Sequence, residues 1–420
     1  VRFIYTLLLA LAAPFLLFGL YKKKPGKPDI GRRWREHFGF VPSLDVTSPL
    51  WFHAVSVGEV IAAKPVLLAL RAERPDIPIV VTTTTTTGAE LAEKLGSGIS
   101  HRYMPIDFGF AVRRFINIIK PRAMVIMETE LWPNTLSEVK KAGVPVTVIN
   151  ARLSERSKVR YQKIKPIFRL LSSNIDHIAC QFDEDADRFS QLELRNDQLS
   201  VTGSVKFDLP EFDHRSPTAN ELKAMITHRP TWIAASTHPG EDGILLEAHK
   251  QILQHQPDAL MILVPRHPER FSDVAEQVRE KALTVVCRSK KEPITAATQV
   301  YLGDTMGEMM TLFSVSDIAF MAGSLIGDKV GGHNLLEPAS LAKPLLTGPS
   351  FYNFQVIGDQ LIESGACQVT PVDAEHIARS LIALFNDSDD RQHRGQQALA
   401  IVNRNRGAVA NTLKVLKPYL

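Results

Sequence analysis

Apolar positions follow two regimes along the chain. Residues 3–21 run without a charged side chain, with Pro14 as the only helix breaker among them. At helical rise they span about 28 Å, close to a hydrocarbon core of about 30 Å. After residue 48 the pattern changes. Short apolar runs of strand length alternate with longer stretches of helical period. Strands are predicted at 49–56, 78–82, 101–105, 123–127, 144–149 and 175–180, and helices at 61–73, 88–94, 108–119, 133–142 and 183–192. Residues 123–127 are apolar at every position, as in a parallel strand covered on both faces. This alternation predicts a doubly wound α/β domain, with ligands at the carboxyl ends of its strands.

Residues 209–217, with two prolines and several charges, read as a linker. The rhythm then restarts, with strands at 231–236, 259–264, 283–286, 300–302 and 318–322 and an apolar Leu345-Leu346 strand. Helices are predicted at 242–255, 274–281, 312–316, 374–386 and 389–416. The layout is an anchor at 1–24, a domain at 31–208, the linker, and a second domain at 218–420. Its long last helix has the reach to pack back on the first domain.

Charge changes the picture only at the start of the chain. Lys22, Lys23, Lys24 and Lys27 follow the apolar run, then Arg32, Arg33 and Arg35. A cleavable signal carries its charge before the apolar core, so this run reads as an uncleaved anchor with its basic flank on the cytoplasmic side. A net charge of +4 suits anionic lipid or anionic ligands and does not call for nucleic acid. The three cysteines, Cys180, Cys287 and Cys367, form no CxxC, which removes a disulfide framework and a thiolate zinc site. No GxxxxGK[ST] and no HExxH occur, so neither a P-loop nor a zinc-protease site is supported, and no metal is expected.

Candidate chemistry lies at strand ends. Glu59 follows the first strand of the body at a glycine turn. It reads either as a helix N-terminal charge or as a general base. Glu128 and Glu130 leave the 123–127 strand together, as capping or substrate-binding groups. Of the threonine run 82–87, only the Thr86-Thr87-Gly88 end is placed to meet a ligand. Residues 152–171 carry seven basic residues with interleaved apolar ones and read as one amphipathic helix, either solvated or facing phosphorylated lipid. In the second half, anion-friendly features recur after successive strands: Thr237-His238, Arg266-His267, Met306-Gly307-Glu308, Gly323-Ser324 and 331–337. Gly331-Gly332 offers a backbone that a ligand can approach. Asn334 and Glu337, three residues apart, would share a helix face.

Six motifs carry a more specific resemblance. His53-Ala-Val-Ser-Val-Gly-Glu59, Glu128-Thr-Glu-Leu-Trp-Pro133, Gly203-Ser-Val-Lys206, Pro265-Arg-His-Pro-Glu269, Gly303-Asp-Thr-Met-Gly-Glu308 and Gly332-His-Asn-Leu-Leu-Glu-Pro338 occur in order. Together they resemble the bacterial 3-deoxy-D-manno-octulosonic acid (Kdo) transferases of lipid A assembly. The resemblance implies a GT-B glycosyltransferase fold, two Rossmann-like domains facing a cleft. It implies CMP-Kdo as donor, lipid IVA as acceptor, inverting transfer to the 6'-hydroxyl, and no cofactor. It places the protein at the bacterial inner membrane, with its catalytic domains on the cytoplasmic side beside anionic lipid. By motif, Glu59 matches the catalytic base of the acceptor-binding domain, and Glu128 and Glu130 stand on the acceptor side or are structural. Lys206, Thr237, Arg266, His267, Met306, Gly307, Glu308, Asn334 and Glu337 fall at or near donor positions. Ser204 stands where an asparagine is more usual, and Asp242 where a glutamate is expected. Rival readings are a related glycosyltransferase with another nucleotide sugar or acceptor, and a membrane-tethered binding protein without chemistry.

Overall fold

The computed structural model of the protein describes residues 1–21, 30–44, 48–213 and 215–420. The lysines at 22–24 and 27, and His214 of the linker, lie outside the described residues. The body divides into two compact units, Val1–Asp208 with Arg406–Leu420, and Leu209–Asn405.

The sheet of the first unit is built from β1 (Leu50–His53), β2 (Ile79–Thr83), β3 (Ile99–Tyr103), β4 (Ala123–Met127), β5 (Val146–Ala151), β6 (His177–Cys180) and β7 (Leu199–Val201). All pair in parallel, in the order β3-β2-β1-β4-β5-β6-β7. Alternate residues feed two cores. Trp51, Val80, Met124 and Ile126 enter one face, and Leu50, Phe52, Val81 and Val125 the other. Burial on both faces is why β1, β2, β4 and β5 lack a polar face. The second unit repeats the plan with β8 (Thr231–Thr237), β9 (Leu260–Pro265), β10 (Val285–Cys287), β11 (Val300–Leu302), β12 (Ile318–Met321), β13 (Leu345–Thr347) and β14 (Cys367–Val369). Their order is β10-β11-β9-β8-β12-β13-β14, again parallel. The two halves of each sheet meet where the strand order reverses, between β1 and β4 and between β8 and β12, and in the second sheet β11 also lies between β9 and β10. A crevice opens where the halves meet, at the carboxyl ends.

Four local features differ from the sequence pattern. The helix after β1 begins at Val57, not near Ile61, because Ser56 stands extended before it as the N-cap residue. Glu59 therefore lies in its first turn. The basic segment is two helices, Glu155–Lys163 and Lys165–Ser172, since Pro166 has no N–H to continue the first helix and its ring clashes with the preceding turn, so the chain breaks at Ile164 and Pro166 stands in the first turn of the next helix. The long last helix is also two, Ser388–Arg404 and Ala408–Leu416, broken at Gly407. Its φ of +102° is glycine territory. Arg32, Arg33 and Arg35 belong to a 3-10 helix, Gly31–Phe38. There Arg33 is engaged within the unit, paired with Glu36 and Glu93.

The apolar helix Arg2–Tyr21 is long and apolar enough to cross a membrane, and none of its residues is buried. Arg2 holds its first turn to the helix Pro133–Lys141 through Asn134, Ser137 and Glu138.

Candidate functional site

The crevice of the first unit has Glu59 on one side and Glu128–Glu130 on the other, because one follows β1 and the others follow β4. Glu59 is 8% exposed. Its Oε2 accepts the Val55 N–H at 2.7 Å, and the Ser56 hydroxyl donates to Oε1 at 3.2 Å. Burial pushes its pKa up to about 7, and the nearby carboxylates of Glu130 and Glu128 add to the rise against the opposing Val55 bond. A carboxyl poised near neutrality at a crevice suits proton abstraction from a hydroxyl.

Glu128 has a φ of +58°, left-handed backbone in a residue other than glycine. Its N–H is fixed to the Ile149 carbonyl at 2.9 Å. That turn re-aims the chain after β4, so Glu128 and Glu130 stay half-exposed beside the crevice. His53, at the end of β1, is fully buried, with Nδ1 3.0 Å from the Thr82 hydroxyl and its ring edge-on to Trp132. Burial lowers its pKa to about 4, so it is neutral. Lys206 sits in the short 3-10 turn Val205–Phe207 of this unit, after β7.

In the second unit the crevice residues divide into those fixed internally and those left open. Thr237 is fully buried, and its hydroxyl donates to Asp242 at 2.6 Å. Asp242 in turn pairs with Arg270, which also donates to the Thr237 carbonyl. Thr237 therefore shapes the turn and offers no free hydroxyl. Glu241 is also fully buried. Its carboxylate accepts four backbone N–H groups, from His238 at 2.9 Å, Gly323 at 2.8 Å, Ser324 at 3.0 Å and Leu325 at 2.9 Å. The Gly323-Ser324 loop, expected to greet a ligand anion, has its amides occupied by this internal one. Nothing in the apolar pattern marks that role, since the partner loop is more than eighty residues away.

His238 and His333 stack with rings 9° apart, and their Nε2 atoms are 2.8 Å from each other. One must donate and the other accept, so at most one ring of the pair can be charged. Burial lowers both pKa values, that of His333 to about 4, and Arg266 and His267 push the same way. Arg266 and His267 are exposed after β9. Asn334 lies just before the short helix Leu336–Ser340 rather than on its face. Its Oδ1 accepts the Leu336 N–H at 3.1 Å while its Nδ2 donates to Glu337 at 3.2 Å. Burial raises the Glu337 pKa, and the Asn334 bond and Arg266 oppose the rise. Arg266, His333, Asn334 and Glu337 thus gather at one crevice. The room at Gly331 and Gly332 is filled from within. A Cβ on Gly331 would meet the Tyr352 ring at 2.4 Å, and one on Gly332 would meet the Phe351 Cα at 3.0 Å.

Met306 and Gly307 form an exposed crest. Glu308 is gripped from beside it by Arg288, which donates Nη2 to Oε1 at 2.8 Å and Nε to Oε2 at 3.1 Å. The Arg288 and Thr305 bonds hold its pKa low against burial. Arg288 was not foreseen, because no spacing in the sequence links it to the 303–308 turn.

Similarity to known proteins fits this frame. Residues 32–209 match the family model described as 3-deoxy-D-manno-octulosonic-acid transferase (kdotransferase). A 3-deoxy-D-manno-octulosonic acid transferase of Haemophilus influenzae is 40% identical over 426 residues, covering 100% of this chain and 99% of its own. The chain belongs to the Kdo transferase family. The Bordetella pertussis transferase is 33% identical, with the same coverage. Among solved structures, UDP-GlcNAc 2-epimerase from Neisseria meningitidis superposes with a TM-score of 0.60 over 88% of this chain and 100% of its own, at 14% identity. A glycosyltransferase from Rickettsia africae gives 0.56 over 90% and 98%, at 13%. Those two likenesses concern the fold alone, the two Rossmann-like units of the GT-B class. Family membership and the exposed apolar helix together make this Kdo transferase a membrane-associated enzyme.

Proposed function

We propose that this Kdo transferase moves Kdo from CMP-Kdo to the 6'-hydroxyl of lipid IVA with inversion, and that Glu59 is the base. The observation that carries the assignment is the buried Glu59 carboxyl with its pKa near 7 at the first unit's crevice. Glu59 takes the hydroxyl proton as that oxygen bonds to the anomeric carbon. The bond from that carbon to the CMP phosphate oxygen breaks, and CMP leaves with the electron pair. Exposed Arg266 meets the phosphate charge. Asn334 and Glu337 hold the nucleoside, with Glu337 suited to the ribose diol. Glu308, gripped by Arg288, sets the crest carrying Met306 and Gly307 against the donor. Thr237, through Asp242, sets the turn that presents His238, with His267 alongside. Lys206 is the first unit's candidate for the donor phosphate or the hinge, and Glu128 and Glu130 bind acceptor or tune Glu59.

The helix Arg2–Tyr21 tethers the enzyme in the inner membrane, and the lysines after it keep the catalytic units on the cytoplasmic side. The deciding assay supplies synthetic lipid IVA and CMP-Kdo and reads product mass. Product heavier by one or more Kdo residues with wild type, and none with Glu59→Gln despite normal CMP binding, supports the reading. Near-normal transfer by that variant sinks the base assignment.

A further inference from the structure

The second unit has a cavity at the opposite edge of its sheet, at the amino ends of β8, β12 and β13, that the transfer reaction does not use. It measures about 400 Å³. Thr237 ends β8 near the donor crevice, whereas Arg229 and Pro230 precede the strand at the cavity. Seven strand residues separate the two places by roughly 20 Å.

Four basic side chains line the cavity, Lys223, Arg229, Lys343 and Arg391, against one carboxylate, Asp317. Asp317 accepts the Thr231 N–H at 2.8 Å. Three of the four basic groups are held by neutral carbonyls. Arg229 donates to those of Asp258, Thr295, Ala259 and Thr298 at 2.6–3.3 Å. Lys343 donates to Ser314 at 3.2 Å and Ser316 at 2.5 Å, and Arg391 to Leu384 at 2.7 Å and Phe385 at 3.2 Å. Carbonyl partners fix a cation in place and offset only part of its charge, so a positive field remains in the cavity.

Donors remain as well. Lys343 has a third ammonium hydrogen, Arg391 bonds through Nη1 alone, and the exposed Lys223 ammonium makes no hydrogen bond among the described residues. Burial lowers the Lys343 pKa, Asp317 opposes the fall and Lys223 adds to it, and a bound anion would offset the repulsion from Lys223. The lining backbone is strained at Thr227, with a φ of +59°. Strain in residues other than glycine concentrates at binding sites.

We propose that this cavity binds a small phosphorylated anion of two or more negative charges, at a site separate from the donor crevice. The test uses the full chain in detergent with saturating CMP, so that the donor crevice is filled. Pyrophosphate is titrated by calorimetry. One site per chain is expected. Lys223→Ala, an exposed change that leaves the melting temperature unaltered, should weaken binding about tenfold, as for one lost charge-assisted contact. Arg391→Gln should do likewise, and Arg266→Ala should leave the affinity unchanged. No pyrophosphate heat with CMP present overturns the proposal, and so does equal affinity in wild type and Lys223→Ala. Vesicles containing phosphatidic acid, whose phosphate monoester can carry two negative charges, form a second arm. If they displace pyrophosphate, the phosphate belongs to a lipid headgroup, and if they do not, to a soluble ligand.

Discussion

The two units share one plan, a parallel seven-stranded sheet in two halves, yet Glu59 in the first and Glu241 and Glu308 in the second are held in opposite ways. In the first unit Glu59 is buried with two hydrogen bonds and, among the described residues, no cation paired with it, and its pKa rises to about 7. In the second unit Glu241 takes four amides and Glu308 takes a bidentate arginine. The fully partnered carboxylates build shape, and the partly partnered one remains available to a proton. A carboxylate at a strand end thus declares its role through what already occupies it, more than through its position.

The largest expected effect follows from replacing the available carboxyl. Glu59→Gln should lower kcat by 10²–10⁴-fold, the usual range for a general base, with CMP affinity unchanged. A fall in CMP affinity matching the loss of rate would erase the distinction between the units.

Glu241→Ala attacks the other side of the contrast. It leaves four inward-facing N–H groups without their acceptor, at about 1–3 kcal/mol for each that water cannot reach. We expect the second unit to lose at least about 3 kcal/mol in denaturant unfolding. A near-zero change would mean that the 323–325 loop is not held by this carboxylate.

Arg266→Ala should raise the donor KM about tenfold through one lost charge-assisted contact, leaving the acceptor KM alone. An unchanged donor KM would remove Arg266 from the phosphate site.

The smallest effect is on the pH dependence of stability. Below about pH 4.5 Glu59 is protonated whether folded or unfolded. Between about 4.5 and 7 the folded chain keeps a proton that the unfolded chain has lost. Its contribution to stability therefore declines as pH rises through that window and is fully gone above it. Glu59→Gln should flatten this part of the unfolding profile. Turnover, which needs the ionised form, should climb over the same range.

Much of this architecture was legible in the sequence. Continuous apolar runs such as 123–127 marked parallel strands, and Glu59, Arg266 and Glu337 were found at strand ends because strand ends are where such sheets bind. What escaped was long-range. The amides of Gly323 and Ser324 looked open until Glu241 was seen to fill them, and the glycines at 331 and 332 looked like room for a ligand until Tyr352 and Phe351 occupied it. Helix breaks at Ile164 and Gly407 hung on one residue's backbone within an otherwise continuous helical period.

The return of Arg406–Leu420 to the first unit sets an order on synthesis. Ala408 and Leu416 belong to the same core as Leu50 and Phe52, and the Asp208 carboxylate takes the Gly407 and Val409 N–H groups at 2.7 and 2.6 Å. All of the second unit is translated between the two halves of that core, a delay of about 10–40 s at ordinary elongation rates. Through that interval the nascent first unit waits with an apolar face open, next to a membrane-seeking helix that has already emerged. The second unit, continuous in sequence, can close first, although its message is read later.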